Sequence, residues 1–326
     1  MKSAILALLR ERGDYVSGQE LCGHFGVSRT AVWKAIGQLK KEGYHIEAVQ
    51  NKGYLLTDDE ELFGLSELES RMNTRWAGHP ITCYDVTAST NLQAKMDAEN
   101  GAGQGALVVA DMQTAGRGRM GRGWSSPPGT NVYFSLILKP DIPPDMASML
   151  TPVMGLAVAE GIRRTCSAEA MIKWPNDIVV GGKKVCGILA EMSVEQDFIH
   201  YVVIGVGINV GRQEFPKEVA RMAACLQEVC GQEVSRAELV ANVMRTFEEC
   251  YDIFLERGNL SGLMNRYDRL LVNCGREVRV LDPKGEFQGT ALGINESGEL
   301  LVERKDGTVV NVYAGEVSVR GIYGYV

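Results

Sequence analysis

The chain has 326 residues, an apolar fraction of 45% and a formal net charge of −7, which is typical of a globular protein with two or three domains. No apolar run approaches the roughly twenty residues of a membrane span, and the N-terminus lacks a signal-peptide cleavage site. We therefore expect a cytoplasmic protein with no membrane partner. The eight cysteines are scattered and form no Cys-x-x-Cys pair, and the chain has only four histidines. This argues for reduced cytoplasmic thiols and against a structural zinc site.

The first 57 residues form a basic segment at the start of an acidic chain. They hold eight lysines and arginines against five acids, which favours nucleic acid as the partner of this segment. Residues 19–25 and 29–41 are predicted to form two helices joined by a tight turn, with Ser28 as the N-cap of the second. That second helix has one apolar and one polar face, as expected of a helix that enters a major groove.

A short hairpin is predicted at residues 44–49 and 54–56, where a winged helix-turn-helix carries its wing. Lys52 at its tip suits a phosphate contact. The predicted DNA-binding residues are Ser28, Arg29, Thr30, Trp33, Lys34 and Lys52. The alternative is a helical accessory or dimerisation module that touches no DNA. The acidic segment 58–61 is predicted to be the linker that follows.

Residues 113–124 form a loop rich in glycine and arginine, between predicted strands at 105–113 and 131–139. No aspartate or glutamate occurs from residue 112 to residue 140. Glycines let the backbone approach a ligand, and guanidinium groups match phosphate or carboxylate oxygens, so the loop is predicted to close on an anion. Its G-x-G-x-x-G pattern does not indicate a dinucleotide site, because the Pro-Pro-Gly that follows cannot continue a helix. A solvated basic loop is the plain alternative.

From residue 81 the pattern predicts strands alternating with helices. Ser89, Thr90 and Asn91 follow a strand at 81–85 and open a helix. By position they suit a helix N-cap, but amides exposed at a helix N-terminus also suit the polar head of a ligand. A further helix with an apolar face is predicted at 146–166.

A β-hairpin is predicted from residues 172–180 and 185–192. Its turn carries Lys183 and Lys184, which position alone would assign to solvent. Asn209 lies at the end of the next apolar strand, a place from which a side chain often enters a binding site.

Three motifs in this order resemble the biotin protein ligase family. They are the arginine loop at 116–124, the Lys-Trp-Pro-Asn-Asp sequence at 173–177 and the Gly-Ile-Asn sequence at 207–209. With the winged head, the chain resembles the bifunctional ligase–repressors of that family over nearly its whole length. One position departs from the pattern: Met120 stands where the repressor type often has arginine, which lowers the charge of the loop.

The resemblance implies roles for individual residues. Lys184, seven residues after Asp177, matches the lysine that contacts the activated carboxyl group, and Lys183 is the weaker candidate. The implied biotin-binding residues are Ser89, Thr90, Asn91, Gln113, Arg117, Gly118, Arg119 and Lys184. The implied ATP- or adenylate-binding residues are Arg122, Trp124, Asn176 and Asn209. The predicted catalytic residues are Lys184, Arg117, Arg119 and Asp177, of which Asp177 is a hypothesis from its chemistry, since a carboxylate could orient or deprotonate the attacking amine.

The resemblance also implies the reaction and its partners. Biotin and ATP, with Mg²⁺, would form biotinyl-5'-AMP, and the biotin would then pass to a lysine of a biotin carboxyl carrier protein. No serine or cysteine nucleophile is needed, because the adenylate already activates the acyl group. A homodimer formed in the adenylate-bound state would bind operator DNA through the N-terminal heads.

The implied fold is α/β (α+β) with three domains. They are a winged helix-turn-helix at 1–62, a mixed-sheet catalytic domain resembling class II aminoacyl-tRNA synthetases at 63–272, and an SH3-like β-barrel at 273–326. The residues themselves predict helices at 236–257 and 259–271. Alternating apolar and polar residues then predict five short strands, at 276–281, 285–294, 300–304, 309–313 and 317–321.

Two other functions fit part of the sequence. One is a biotin-sensing DNA-binding repressor that has lost catalysis, against which the intact arginine loop and Lys184 argue. The other is an acyl-activating transferase of the same catalytic fold, such as a lipoate ligase, against which the winged head and the arginine loop argue.

Overall fold

The computed structural model describes residues 1–58, 62–195, 197–217, 219–282, 285–314, 318–321 and 325–326, with the backbone alone at 58 and 318. Most of the predicted linker, residues 59–61, and the predicted first residue of the last strand, Val317, lie outside the described residues. The chain divides into two compact units, residues 1–73 with 235–241 and residues 74–234 with 242–326. None of the helices in the described part of the chain has the length and apolar character needed to cross a membrane.

The first unit contains the predicted helix–turn–helix and hairpin. Serine side chains cap two of its helices: Ser17 accepts from the amide of Glu20 at 3.0 Å, and Ser28 accepts from that of Ala31 at 3.2 Å. Buried aliphatic side chains of the first three helices form the core. Its helices are α1 (Lys2–Arg12), α2 (Gly18–Phe25), α3 (Arg29–Lys41) and α4 (Leu65–Arg71), and its antiparallel strands are β1 (His45–Val49) and β2 (Gly53–Asp58).

A seven-stranded mixed sheet forms the centre of the second unit. Its strands are β3 (Ile81–Thr87), β4 (Leu107–Gln113), β5 (Val132–Leu138), β6 (Met171–Lys173), β7 (Asp177–Val180), β8 (Lys183–Glu195) and β9 (Phe198–Ile208). They lie in the order β3-β4-β5-β9-β8-β7-β6, and only the β3–β4 pair is parallel. Helix α5 (Thr90–Glu99) packs on β4, β5 and β9, and α6 (Leu150–Cys166) packs on β6, β7 and β8.

The rest of the second unit ends in an all-antiparallel sheet of five strands, where the alternating pattern predicted five short strands of a small barrel. Helices α7 (Leu226–Cys230), α8 (Arg236–Arg257, whose first residues belong to the first unit) and α9 (Met264–Leu270) come first. The strands are β10 (Glu277–Leu281), β11 (Phe287–Ile294), β12 (Leu300–Glu303), β13 (Val309–Val312) and β14 (Ser318–Gly321). Their order in the sheet is β13-β12-β11-β10-β14.

Two predicted helices are shorter than expected. The segment 259–263 forms turns, because the side chain of Asn259 accepts a hydrogen bond from the amide of Ser261 at 2.9 Å and so competes with helix formation. The helix predicted from residue 146 begins as a 3₁₀ turn (Pro144–Met149) and becomes α-helical only at Leu150.

One carboxylate of α8 anchors the start of the second unit. Glu248 is buried and accepts hydrogen bonds from the amides of Arg75, Trp76 and Ala77 at 2.8–3.1 Å. Burial alone would raise the pKa of Glu248, but the amide bonds outweigh it and hold the pKa below its ordinary value.

We expect Glu248→Gln to lower the free energy of unfolding by about 1.5–3 kcal/mol, because charge-assisted bonds to the three amides are weakened. The contribution of Glu248 is complete above the pKa of the unfolded side chain, and it is lost as pH falls through the lower native pKa. Urea unfolding at pH 7 and at pH 3.5 measures both effects.

The neighbouring Glu249→Gln is the matched control, because its half-exposed carboxylate pairs with Arg164 at 3.6 Å, and surface pairs contribute little. Equal losses in the two variants would contradict the anchoring role of Glu248.

Candidate active site

A cavity of about 460 Å³ lies in the second unit, above the carboxyl end of β9. Every residue that the sequence singled out for ligand binding or catalysis in this unit lines it. These residues are Ser89, Thr90, Asn91, Gln113, Arg117, Gly118, Arg119, Arg122, Trp124, Asn176, Asp177, Lys184 and Asn209. Segments far apart in sequence are thus brought to one place.

Strand β9 orders these groups along the cavity, because two of its residues have no side chain. A Cβ at Gly205 would lie 1.9 Å from Oδ1 of Asn91, and one at Gly207 would lie 2.5 Å from Nε1 of Trp124. Residues two apart on a strand lie on the same face, about 6.6 Å apart. Asn91 and Trp124 therefore pack directly on the backbone at successive positions of that face.

A network of hydrogen bonds surrounds Gly205. The hydroxyl of Ser135 donates to Oδ1 of Asn91 at 2.6 Å and lies 2.8 Å from Oγ1 of Thr90. The side-chain oxygen of Gln113 accepts from the amide of Thr90 at 2.9 Å, and Nδ2 of Asn91 donates to the carboxylate of Glu191 at 2.7 Å. The side chains of this network that line the cavity, those of Thr90, Asn91 and Gln113, are polar and uncharged.

Ser89 occupies the N-cap position of α5, but its side chain makes no capping hydrogen bond. The N-cap interpretation therefore holds for its place in the helix and not for its side chain. The hydroxyl lies in the wall of the cavity, beside the first amides of the helix, which suit a polar ligand group.

The arginine loop is a narrow hairpin. The amide of Trp124 bonds the carbonyl of Gly116 at 2.9 Å, and that of Gly118 bonds the carbonyl of Arg122 at 2.7 Å. Met120 at the tip has a left-handed backbone, with φ of 57°, and its side chain is 65% exposed. Met120 is nevertheless one of the residues that line the cavity, where it contributes no charge.

Arg119 is the arginine of the loop that reaches across the cavity wall. Its guanidinium donates to Oδ1 of Asn176 at 2.9 Å and to the carbonyl of Ala314 at 2.7 Å. Burial lowers the pKa of Arg119, although Asp177 opposes the shift. Arg117 and Arg122 are exposed by comparison.

Lys184 and Asp177 form an ion pair, with Nζ 2.6 Å from Oδ1. Lys184 is half-buried and its neighbour Lys183 is exposed, because successive residues of a strand point to opposite faces. The ammonium of Lys184 also lies 5.3 Å from the ring centroid of Trp124. The indole N–H of Trp124 is buried and has no acceptor among the described residues, so a ligand atom would satisfy it.

Sequence reasoning gave no role to three polar residues that line the cavity, namely Lys173, Arg320 and Tyr325. Lys173 is only 5% exposed, and burial lowers its pKa to about 8, with Asp177 opposing the shift. A lysine between isoleucine and tryptophan in an apolar strand was a signal from which a buried, functional Lys173 could have been predicted. Arg320 and Tyr325 belong to the C-terminal sheet region, where nothing in the strand pattern marks them.

The charge of the cavity is strongly unbalanced. Among the described lining residues six are cationic, and the one carboxylate is that of Asp177. Such a site favours a ligand with several negative charges. Nowhere in the described ranges do three or more His, Cys, Asp or Glu side chains form a cluster that could hold a metal.

The predicted DNA-binding residues lie in the first unit. Arg29, Thr30, Trp33 and Lys34 are exposed on α3, and Trp33 is 67% exposed, whereas Val32, Ile36 and Leu39 are buried. The oxygen of Ser28 is used in capping the helix. Lys52 lies in the turn between β1 and β2, its Nζ 5.3 Å from the ring centroid of Tyr15.

Comparison with known proteins gives matches along the chain. Residues 83–209 match the Biotin/lipoate A/B protein ligase family, residues 2–55 match an HTH domain, and residues 274–320 match the Biotin protein ligase C terminal domain. The chain is 38% identical over 322 residues to the Bifunctional ligase/repressor BirA of Bacillus subtilis, covering 98% of each protein. Its identity to the protein of the same name from Escherichia coli is 30% over 316 residues, 97% of this chain and 96% of the relative.

A solved structure agrees with these matches. The biotin protein ligase of Aquifex aeolicus in complex with biotin and ATP superimposes with a TM-score of 0.65 at 30% identity, covering 74% of this chain and 99% of that one. The sequence identity extends over nearly the whole chain, and the helix–turn–helix, the mixed sheet and the C-terminal domain each match the corresponding part of these relatives. The chain therefore belongs to the biotin protein ligase family, in its bifunctional ligase/repressor form.

Proposed function

We propose that this protein joins biotin to ATP as biotinyl-5'-AMP, transfers the biotin to a lysine of a biotin carboxyl carrier protein, and represses transcription in response to biotin. One observation supports the enzymatic part: the same cavity is lined by a group of uncharged hydrogen-bonding side chains and by a group of cations. The first group suits the neutral head of biotin, and the second suits the phosphates of ATP. A lipoate ligase would not need the uncharged hydrogen-bonding side chains, because the dithiolane ring of lipoate has no amide groups to bind.

We assign the two parts of the cavity to the two substrates. Ser89, Thr90, Asn91 and Gln113 would bind biotin, with Arg117, Gly118 and Arg119 of the loop closing over it. Trp124, Asn176 and Asn209, with Arg122, would bind the adenylate. The buried indole N–H of Trp124, which has no acceptor among the described residues, supports the assignment because a nucleotide offers acceptors.

In the first step a carboxylate oxygen of biotin attacks the α-phosphorus of ATP. A new O–P bond forms, the bond to the β-phosphate oxygen breaks, and pyrophosphate leaves. Both reactants are anions, so Arg117, Arg119 and Lys184 would stabilise the charge that concentrates between them in the transition state. The glycine-rich loop would then keep water from the mixed anhydride.

Magnesium is part of this proposal as a companion of ATP. Mg²⁺ prefers oxygen ligands and is commonly held by substrate phosphates and water with one or two carboxylates. Asp177 is the one carboxylate among the described lining residues, and both of its oxygens are engaged. We therefore propose that Mg²⁺ would be bound by the phosphates of ATP, whose charge it would neutralise, and not by a set of protein ligands.

In the second step the amine of the carrier lysine attacks the acyl carbon. An amide C–N bond forms, the C–O bond to phosphate breaks, and AMP leaves with the electron pair. The nitrogen must lose a proton, since a lysine amine is an ammonium at neutral pH. We assign two roles to Asp177: it would orient this amine, and it would accept its proton.

The regulatory half rests on the first unit. Arg29, Thr30, Trp33, Lys34 and Lys52 would contact operator DNA, with Ser28 fixing the start of the helix. We propose that adenylate formation promotes a homodimer whose two heads bind a palindromic site, and that the protein works in the cytoplasm. We also propose the division into domains at 1–62, 63–272 and 273–326.

We expect Lys184→Ala to reduce biotin-dependent exchange of labelled pyrophosphate into ATP about 100-fold or more, because a cation at the reacting phosphate is lost. Exchange measures adenylation without the carrier protein. The matched control is Lys183→Ala, which removes the same charge from the exposed face of the same strand.

Equal loss in both lysine variants would contradict the assignment of Lys184. Biotin binding by the natural protein without any exchange would favour the catalytically inactive biotin sensor, and lipoate-dependent exchange would favour the lipoate ligase.

We expect Asp177→Asn to slow transfer from preformed biotinyl-5'-AMP to the carrier protein about 100-fold in a single turnover, because the amide cannot accept the proton. Asp85→Asn, on the exposed edge of β3, is the control and should transfer normally. Transfer by Asp177→Asn at the natural rate would remove Asp177 from the acyl-transfer step.

We expect Lys34→Ala to reduce the salt dependence of DNA binding, lowering the slope of log K against log salt by about 1, as one phosphate contact is lost. Fluorescence anisotropy with a mixed-sequence DNA duplex measures the slope without knowledge of the operator. Lys41→Ala removes the same charge at the far end of α3 and should leave the slope unchanged. Identical slopes for the natural protein and Lys34→Ala would contradict contact through this face.

A further inference from the structure

Tyr325 contacts the two ends of the Lys-Trp-Pro-Asn-Asp sequence, yet the reaction described above gives it no role. Its hydroxyl donates a hydrogen bond to Oδ2 of Asp177, the carboxylate whose other oxygen lies 2.6 Å from Nζ of Lys184. Its ring covers the buried ammonium of Lys173, with Nζ 4.3 Å from the ring centroid. The side chain also lines the cavity.

Two glycines allow the segment that carries Tyr325 to pack so closely. The carbonyl oxygen of Val326 lies against Gly321 on β14, where a Cβ would be only 2.1 Å away. The side chain of Val326 lies against Gly182 in the turn between β7 and β8, where a Cβ would be 3.2 Å from its Cγ2. The neighbour of Tyr325 is thus held between the C-terminal sheet and the hairpin that carries Asp177 and Lys184.

The phenol of Tyr325 is a donor to Asp177 at neutral pH. Burial raises the pKa of Tyr325, and the negative charge of Asp177 raises it further. An ionised carboxylate only accepts hydrogen bonds and can accept several. The bond to Tyr325 therefore fixes one oxygen of Asp177 and leaves lone pairs for another donor.

The proposed role of Lys184 implies that the other oxygen of Asp177 would lose its partner when substrate binds. Lys184 is the lysine assigned to the activated carboxyl and phosphate, so an adenylate would draw its ammonium away from Asp177. A carboxylate that loses one of two partners is held only by the second. A small misplacement of a catalytic group lowers the rate substantially, so the remaining bond determines how well Asp177 meets the amine.

We propose that Tyr325 is a positioning residue of acyl transfer, whose hydroxyl holds Asp177 in place for the carrier lysine once Lys184 has turned to the adenylate. This inference rests on the proposed function and on the assigned role of Asp177. Tyr325 acts through Asp177 and takes part in no bond change itself. The adenylation step, which does not use Asp177 as a proton acceptor, is independent of the hydroxyl.

The test is Tyr325→Phe, which keeps the ring over Lys173 and removes only the hydroxyl. We expect single-turnover transfer from preformed adenylate to the carrier to fall about tenfold, the equivalent of one hydrogen bond to a charged group, with pyrophosphate exchange unchanged. Reaction of the bound adenylate with hydroxylamine, a small nucleophile that needs no orientation by Asp177, should also be unchanged. Tyr84→Phe, on β3, is the matched control for loss of a phenol elsewhere in this unit.

A double-mutant cycle separates positioning from a general structural role. Because Tyr325 acts through Asp177, the variant with both Asp177→Asn and Tyr325→Phe should transfer no more slowly than Asp177→Asn alone. Additive losses would overturn the inference. So would natural or faster transfer by Tyr325→Phe, or a loss of exchange as large as the loss of transfer. Absence of biotin-dependent exchange in the natural protein would instead contradict the proposed function, and the inference with it.

Discussion

The absence of side chains at Gly205 and Gly207 is the constraint on which the cavity depends. Asn91 and Trp124 lie where the Cβ atoms of these two residues would otherwise stand. A central strand of a sheet ordinarily presents side chains to whatever packs on it, and here the backbone itself forms the floor. The helix that carries Asn91 and the loop that carries Trp124 can therefore approach the same strand from different parts of the chain. The hydrogen-bond network and the cationic groups take their spacing from that strand.

Electrostatics gives the second organising principle. Asp177 is the one carboxylate among the described residues of the cavity wall, and it faces six cations. It meets Lys184 directly, lies close enough to oppose the pKa shifts of Arg119 and Lys173, and receives the hydroxyl of Tyr325. Like charges gathered at a site repel one another, and an anionic ligand relieves that repulsion. The arrangement is therefore suited to substrates that bring phosphates and a carboxylate, and it centres the polar contacts of the site on one side chain.

The proposed two-step mechanism is compatible with this geometry. Cations that stabilise a phosphoryl transition state would also hold the product adenylate, so the same groups would serve formation and retention of the intermediate. Transfer would need a different group, one that accepts a proton from an amine. Asp177 lies next to Lys184, so the proposed assignment places the two functions side by side.

Local sequence patterns were sufficient for most elements, and the family resemblance supplied many, though not all, of the residues that line the cavity. The capping serine and the two-faced α3, the hairpin that carries Lys184, and the alternating strands after residue 274 all follow from short-range periodicity and turn chemistry. The arginine loop was recognisable because an arginine-rich, acid-free segment is uncommon in an acidic chain. The predicted start of α9 was wrong, because the side chain of Asn259 bonds the backbone two residues later and so prevents the helix from beginning there.

The contacts between distant residues follow from the tertiary structure. Arg320 and Tyr325 come from the C-terminal sheet region and carry no local signal, so their presence in the wall of the cavity depends on how that sheet packs on the rest of its unit. Lys173 is the first residue of the Lys-Trp-Pro-Asn-Asp motif, but its burial and its lowered pKa are caused by neighbours that lie elsewhere in the chain. The elements and the chemical groups could be predicted from the sequence, because they depend on residues close together along the chain, and the family could be recognised from the order of its motifs. The distances, burial and pairing of those groups depend on long-range packing, which a one-dimensional pattern does not contain.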